Sequence, residues 1–148
     1  MAPEIGVDYT GITTPFYCID GKGNFLLHKR SVNTRDEHGT WDFGGGKLEF
    51  GLSPEENVLK ELSEEYGCTG TIREALPPWS SIREWNGKKT HWLAVPFIIE
   101  VNPAEVRNNE PHKIDEIGWF KLGAFPKPLH PGVRFALEHN KQQLEKYA

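Results

Sequence analysis

The alternation of apolar and polar positions changes period several times along the chain, and each change marks an element. Residues 1–11 keep no period and read as an irregular arm. Over residues 12–19 the side chains Ile12, Thr13, Thr14, Phe16, Tyr17 and Ile19 predict a strand. Pro15 weakens that strand or places it at a sheet edge, because proline has no N–H for the ladder. Asp20-Gly-Lys-Gly-Asn24 is turn chemistry, and residues 25–30 read as the returning strand of a hairpin. A polar loop over 31–40 then leads to Trp41-Asp-Phe-Gly-Gly-Gly46.

Beyond the glycines the period becomes helical. Ser53-Pro-Glu-Glu56 is a capping box with proline at the first helical position, and Gly67 is placed to end the helix in the left-handed conformation. A helix running from Ser53 to Tyr66 is therefore expected, with Val58, Leu59, Leu62 and Tyr66 as its buried stripe. Downstream, residues 69–74 predict a short strand and residues 76–80 a loop. Asn86-Gly87 predicts a tight type I′ turn between strands over 81–85 and 88–101. A polar loop over 102–113, a strand over 116–120, a proline-rich linker over 125–131 and an amphipathic helix over 132–146 complete the chain, with Val133, Phe135, Leu137 and Leu144 as packing residues of that helix. No internal repeat or domain boundary interrupts the pattern. Strands interleaved with two helices give an α/β class with a mixed, largely antiparallel sheet.

Composition and charge narrow the function. The chain has 148 residues, 17 Lys plus Arg against 21 Asp plus Glu, and a formal net charge of −4. With no excess positive field, binding to a nucleic acid polymer is not expected. The longest apolar run, residues 92–99, contains Pro96 and falls well short of the roughly 20 residues a membrane span needs. The first residues lack the basic and apolar regions of a signal peptide. Two cysteines do not make a disulfide framework, which fits a reducing compartment, and a cytoplasmic location is the expectation. The histidines and cysteines form no zinc spacing, and there is no serine nucleophile elbow.

Candidate chemistry centres on the first helix. Glu61, Glu64 and Glu65 stand at i, i+3 and i+4, so their like charges repel unless something compensates them. At 100° per residue they centre roughly 115° from the predicted apolar stripe and flank the core. As a solvated face with Lys60 paired to Glu64, they would need no ligand. Beside a loop carrying Gly44, Gly45 and Gly46, which lets the main chain approach a ligand, the same oxygens suit a hard divalent cation.

Taken together, Gly46, Leu52 and Lys60-Glu61-Leu62-x-Glu64-Glu65-x-Gly67-Cys68 resemble the Nudix box, G-x5-E-x7-R-E-U-x-E-E-x-G-U, where U is bulky and apolar. The resemblance extends over roughly residues 12 to 140, through Trp41-Asp-Phe and the segment from Glu110 to Phe120. It implies one domain over 1–148 with an α/β/α sandwich fold. It also implies Mg²⁺- or Mn²⁺-dependent hydrolysis of a nucleoside diphosphate linked to a group X. A (deoxy)nucleoside triphosphate giving monophosphate and pyrophosphate comes first; an ADP-ribose or nucleotide-sugar pyrophosphatase, or a nucleotide-binding module without turnover, are the alternatives.

By the same resemblance Glu61, Glu64 and Glu65 are the catalytic residues and hold the metal with the Gly45 carbonyl. Glu116 is a further candidate ligand, ranked with Asp115 and ahead of Glu110. Arg30 and Lys47 are candidate phosphate contacts. Trp119 is the candidate for stacking on a base, against packing in the sheet core. The partner expected is a small nucleotide, with a homodimer left open. Two positions depart from the family pattern, Leu52 for Glu and Lys60 for Arg, and a less braced loop is the expected consequence.

Overall fold

The computed structural model describes residues 1–148, the side chain of Trp85 excepted. Its strands are β1 Gly11–Thr13, β2 Phe16–Ile19, β3 Asn24–Arg30, β4 Trp41–Asp42, β5 Thr71–Ala75, β6 Trp79–Trp85, β7 Lys88–Ala94, β8 Phe97–Glu100 and β9 Ile114–Lys121. The helices are α1 Pro54–Tyr66, α2 Pro131–His139 and α3 Lys141–Glu145, with a short 3-10 turn at Pro103–Glu105.

The larger sheet has the order β4-β3-β2-β8-β5, with β9 also paired to β3; β1, β7 and β6 make a smaller sheet. Only the β2–β8 and β1–β7 pairs are parallel. Since β9 runs along one whole edge of β3, β2 and β4 share the other edge. The period-two rule then builds three layers. Phe16 and Cys18 of β2, with Leu26, Phe97 and Ile99, pack with Val58, Leu62 and Tyr66 of α1. Tyr17 and Ile19, with Phe25, Leu27 and Ile98, pack on the opposite face with Val133, Ala136 and Leu144 of α2 and α3. This is an α/β/α sandwich. Burying a side chain such as Leu62 contributes about 2 kcal/mol to holding α1 on the sheet.

The ends of α1 follow from its caps. Ser53 Oγ accepts from the Glu56 amide at 3.1 Å, the Glu56 carboxylate accepts from the Ser53 amide at 3.0 Å, and Gly67 is left-handed at φ 63°. Its buried face is not the expected stripe, however. Leu59 is 38% exposed, while Asn57 and Glu65 are buried beside Val58, Leu62 and Tyr66. The face is rotated because polar groups of the glycine loop, and not only sheet carbons, pack against it.

Three expected elements divide. The strand over 12–19 breaks at Thr14-Pro15, and the strand over 88–101 breaks at Val95-Pro96. The breaks lie side by side: the Val95 amide donates to the Thr13 carbonyl and the Phe97 amide to the Pro15 carbonyl. The chain pair thus passes from the small sheet to the large one where proline interrupts each ladder. The helix over 132–146 divides at Asn140, whose fully buried amide accepts from the Tyr17 hydroxyl at 3.2 Å and the Trp79 indole at 2.8 Å and donates to the Pro77 carbonyl. Asn86 and Gly87 both have positive φ, 51° and 74°, as the predicted turn requires. Among the described residues no helix is long and apolar enough to cross a membrane.

Candidate active site

The glycine loop carries the chain between the two sheets. The Gly44 and Gly46 carbonyls accept from the Phe16 and Thr14 amides, at 3.0 and 2.9 Å, which pins the loop to the start of β2 and to the link between β1 and β2. Asn57 holds the same loop from the helix side: its oxygen accepts from the Glu49 amide, and its nitrogen donates to the Lys47 carbonyl and to Thr14 Oγ1. Gly46 has to be glycine for lack of space, since a Cβ there would lie 2.4 Å from the carboxyl carbon of Glu61.

Helical spacing gives the three acids three environments. Glu65 is buried, 6% exposed, and its Oε2 accepts from the Gly45 amide at 3.3 Å. Burial, and after it the charge of Glu61, push its carboxyl well above the usual carboxylate range. Glu61 is half-buried, and desolvation, with Glu64 next, pushes it up to about 7. Glu64 is exposed and accepts from Lys60 Nζ at 2.6 Å. The Lys60–Glu64 pair expected of a solvated face is therefore present, but it accounts for only one of the three acids. Lys60 Nζ also donates to Glu49 Oε1 at 2.9 Å, so the loop lacking the family's acid at position 52 is braced from position 49.

These groups line one side of a cleft of about 540 Å³. Glu49, Glu61, Glu64, Glu65, Glu110 and Gly44 to Gly46 stand along it, with Arg30, Arg35, Lys47, Arg83 and Lys113 as its cations. Arg30 is firmly placed. It donates to the Asp36 carbonyl, pairs with the buried Asp36 carboxylate at 3.1 Å and approaches Asp42 at 3.5 Å. His28 and His130 also line the cleft, and burial lowers both, His28 to about 4.

Two expected residues lie elsewhere. Glu116 is exposed on β9 opposite Lys29 and does not line the cleft. Glu110, ranked behind it, does, and its charge raises the proton affinity of both Glu61 and Glu65. Trp119 packs against the α1-side core, which is its structural alternative to base stacking; Asp115 is exposed and also outside the cleft. The aromatic residues of the cleft are Tyr17, Phe43, Trp79 and Trp92. No spacing rule pointed to them, because they reach the cleft from different strands and the glycine loop.

The residues fit a divalent cation by the chemistry of their donors. Glu61 and Glu65 stand desolvated against a glycine main chain, both with raised proton affinity, Glu61 adding to that of Glu65, and such a site favours an added positive charge. Among the described residues no three acidic, His or Cys side chains already converge as a ligand group, since Glu64 turns to Lys60 and Glu65 to the Gly45 amide.

Comparison with known proteins bears on the same segment. The ADP-ribose pyrophosphatase of Methanocaldococcus jannaschii is 30% identical over 142 residues, 95% of this chain and 71% of that protein. The CTP pyrophosphohydrolase of Escherichia coli is 36% identical over 49% of this chain, and Nudix hydrolase 3 of Caenorhabditis elegans is 26% identical over 72%. The chain aligns with only 52% and 43% of those two proteins' lengths. Among solved structures, a MutT Nudix hydrolase from Burkholderia pseudomallei superposes with a TM-score of 0.73 at 29% identity, over 88% of this chain and 97% of the other. A MutT protein from Methanosarcina mazei gives 0.72 at 28%, over 90% and 94%. The profile of the NUDIX domain matches residues 11–139, nearly the whole of the sandwich and its glycine loop, and the chain belongs to the Nudix family.

Proposed function

We propose that the chain is a pyrophosphohydrolase dependent on Mg²⁺ or Mn²⁺ that cleaves a nucleoside diphosphate linked to X, with (deoxy)nucleoside triphosphates the first substrates to try. The observation carrying this reading is the pair Glu61 and Glu65, desolvated carboxylates held against Gly46 and Gly45 on the wall of a cleft that also carries Arg30 and Lys47. Glu61, Glu64, Glu65 and the Gly45 carbonyl would hold the cation, with Glu110 a closer candidate than Glu116 for a further oxygen. When bound, the cation screens polyphosphate charge and lowers the proton affinity of water.

The chain's own groups do the rest. Arg30, fixed by Asp36 and Asp42, presents a guanidinium to the phosphates, and Lys47 adds a mobile ammonium. A water oxygen bonds to one phosphorus as that phosphorus loses its bond to the bridging oxygen. The proton passes to one of Glu61, Glu64, Glu65 and Glu110, and the products are a nucleoside monophosphate and X bearing phosphate, or pyrophosphate for a triphosphate. The likeness to an ADP-ribose pyrophosphatase along 95% of the chain supports ADP-ribose or a nucleotide sugar as the second substrate class. The test is phosphate or pyrophosphate release from a nucleotide panel with Mg²⁺, comparing wild type with Glu65→Gln. Turnover abolished by the substitution supports the reading, and equal activity in both proteins overturns it.

A further inference from the structure

We infer that Arg35 is a phosphate-binding arginine of the cleft and that Asp36 is the positioning residue that holds it ready. That the phosphates belong to a nucleotide rests on the pyrophosphohydrolase reading above; the binding role of Arg35 is tested apart from turnover.

Both residues belong to the loop over 31–40, whose ends meet at Arg30. The Arg30 amide donates to the Thr40 carbonyl at 2.9 Å, and the Gly39 amide donates to the Arg30 carbonyl at 2.8 Å. Within the loop Glu37 has φ 52°, the left-handed region that a residue with a side chain disfavours. Thr40 holds it there, its hydroxyl and amide both donating to the Glu37 carbonyl, at 2.7 and 3.3 Å. The Glu37 carboxylate also reaches Arg83 of β6 at 3.7 Å. Such strain persists only where the surroundings fix it, and here it accompanies a turn that buries the neighbouring Asp36 between two arginines.

The two arginines use their donors differently. A guanidinium carries five N–H donors in a fixed fork. Arg30 turns Nε and Nη2 to Asp36, donating to its carbonyl at 3.1 and 3.0 Å and to its Oδ1 at 3.1 Å. Its Nη1 approaches Asp42 Oδ2 at 3.5 Å, so Nη1 is all that Arg30 has left for a ligand. Arg35 directs Nε and Nη2 to the single oxygen Asp36 Oδ2, each at 3.2 Å. Among the described residues nothing accepts from Arg35 Nη1, and no acid of α1 pairs with this side chain. It lines the cleft and is 62% exposed.

One buried carboxylate therefore orients two guanidinium groups, Arg30 on Oδ1 and Arg35 on Oδ2, and the second keeps most of its donors open. An arginine paired with an exposed acid gains little and stays mobile. Because the acid that holds Arg35 is buried, its fork is ordered before a ligand arrives, which lowers the entropic cost of binding. An ordered planar fork with free N–H groups suits a phosphate, whose oxygens accept two parallel hydrogen bonds. Asp36 touches no reacting atom and acts through Arg30 and Arg35.

The experiment measures binding of α,β-methylene analogues of ATP, GTP, CTP and UTP with Mg²⁺ by titration calorimetry, and turnover of the parent triphosphates. For the tightest analogue, Arg35→Gln is expected to raise Kd at least about tenfold, as loss of a charge-assisted contact does. KM for the parent compound should rise alike, with kcat changed less than about threefold. Arg35→Lys, which keeps the charge and loses the fork, should remain at least about fivefold weaker than wild type. Asp36→Asn should weaken the analogue at least as much as Arg35→Gln. Adding Arg35→Gln to it should cost less than about twofold more, because a residue acting through Arg35 then has nothing left to position. Unfolding curves establish that each variant is folded; if Asp36→Asn is not, the two variants of the exposed Arg35 decide. Arg35→Gln within about twofold of wild type, full rescue by lysine, or losses that multiply in the double variant overturn the inference. Turnover of a triphosphate that Arg35→Gln leaves unchanged overturns this inference alone. Analogue binding that depends on Arg35, without turnover of any compound, overturns the pyrophosphohydrolase reading alone.

Discussion

Lys60 Nζ stands 2.9 Å from Glu49 Oε1 and 2.6 Å from Glu64 Oε1, so one ammonium ties the glycine loop to α1 and restrains an acid of the cleft. The loop acid comes from position 49, and Leu52, where the family pattern has Glu, takes no part in this bridge. Asn57, buried beneath the same loop, adds three hydrogen bonds that a sequence pattern does not register. Glu49→Gln is expected to lower kcat/KM well short of the about 100-fold cost of a 1 Å misplacement, because Asn57 still holds the loop. Asn57→Ala is expected to cost more than Glu49→Gln. Steady-state kinetics on the pair of variants checks the order.

The desolvated acids give a metal-linked stability. Adding Mg²⁺ at 100 times its Kd should stabilise the wild type by about 2.7 kcal/mol, and chelation should remove the gain. Glu61→Gln and Glu65→Gln should be at least as stable as wild type without metal, since each removes a charge that burial disfavours, and should lose most of the Mg²⁺ effect. Thermal unfolding with and without chelator measures both.

His28 sets an acid limit. Its Nδ1 lies 2.6 Å from the Tyr66 hydroxyl, and burial lowers the imidazole from 6.5 to about 4. A depressed folded value means that the stabilisation is complete above pH 6.5 and is lost as pH falls from there toward 4, by about 3 kcal/mol for one group. His28→Gln should flatten the stability profile over that window relative to wild type. Urea unfolding at pH 7, 5.5 and 4 provides the comparison.

Asn140 separates folding from chemistry. It lies on the α2–α3 side of the sheet, and Asn140→Leu leaves the Tyr17 hydroxyl and the Trp79 indole without their acceptor. The expected loss is about 2 to 4 kcal/mol of stability. Tyr17 and Trp79 also line the cleft, so a rise in KM larger than any fall in kcat is the expected kinetic trace. By contrast Ser53→Ala, at the α1 cap, should cost about 1 kcal/mol with activity retained at temperatures where the protein stays folded.

What the sequence by itself determined is what depends on neighbours in the chain. The start and stop of α1, the turn at Asn86-Gly87 and the spacing of Glu61, Glu64 and Glu65 are set by caps, by the sign of φ and by helical pitch, all within a few residues. The box-like spacing also placed the glycine loop beside the acids. Tertiary structure decided the remainder, because it turns on which strands pair. Pro15 and Pro96 read as local weaknesses, and only their side-by-side position makes them the crossing between two sheets. Asn140 reads as a helix residue until Tyr17 and Trp79, more than 60 positions away, claim its amide. Glu110 and Trp92 enter the cleft, and Glu116 and Trp119 do not, because register and loop path, not residue type, set which way a side chain faces. The arm over residues 1–11 showed no pattern at all, and only tertiary packing sets its Gly6 against Trp92 of β7.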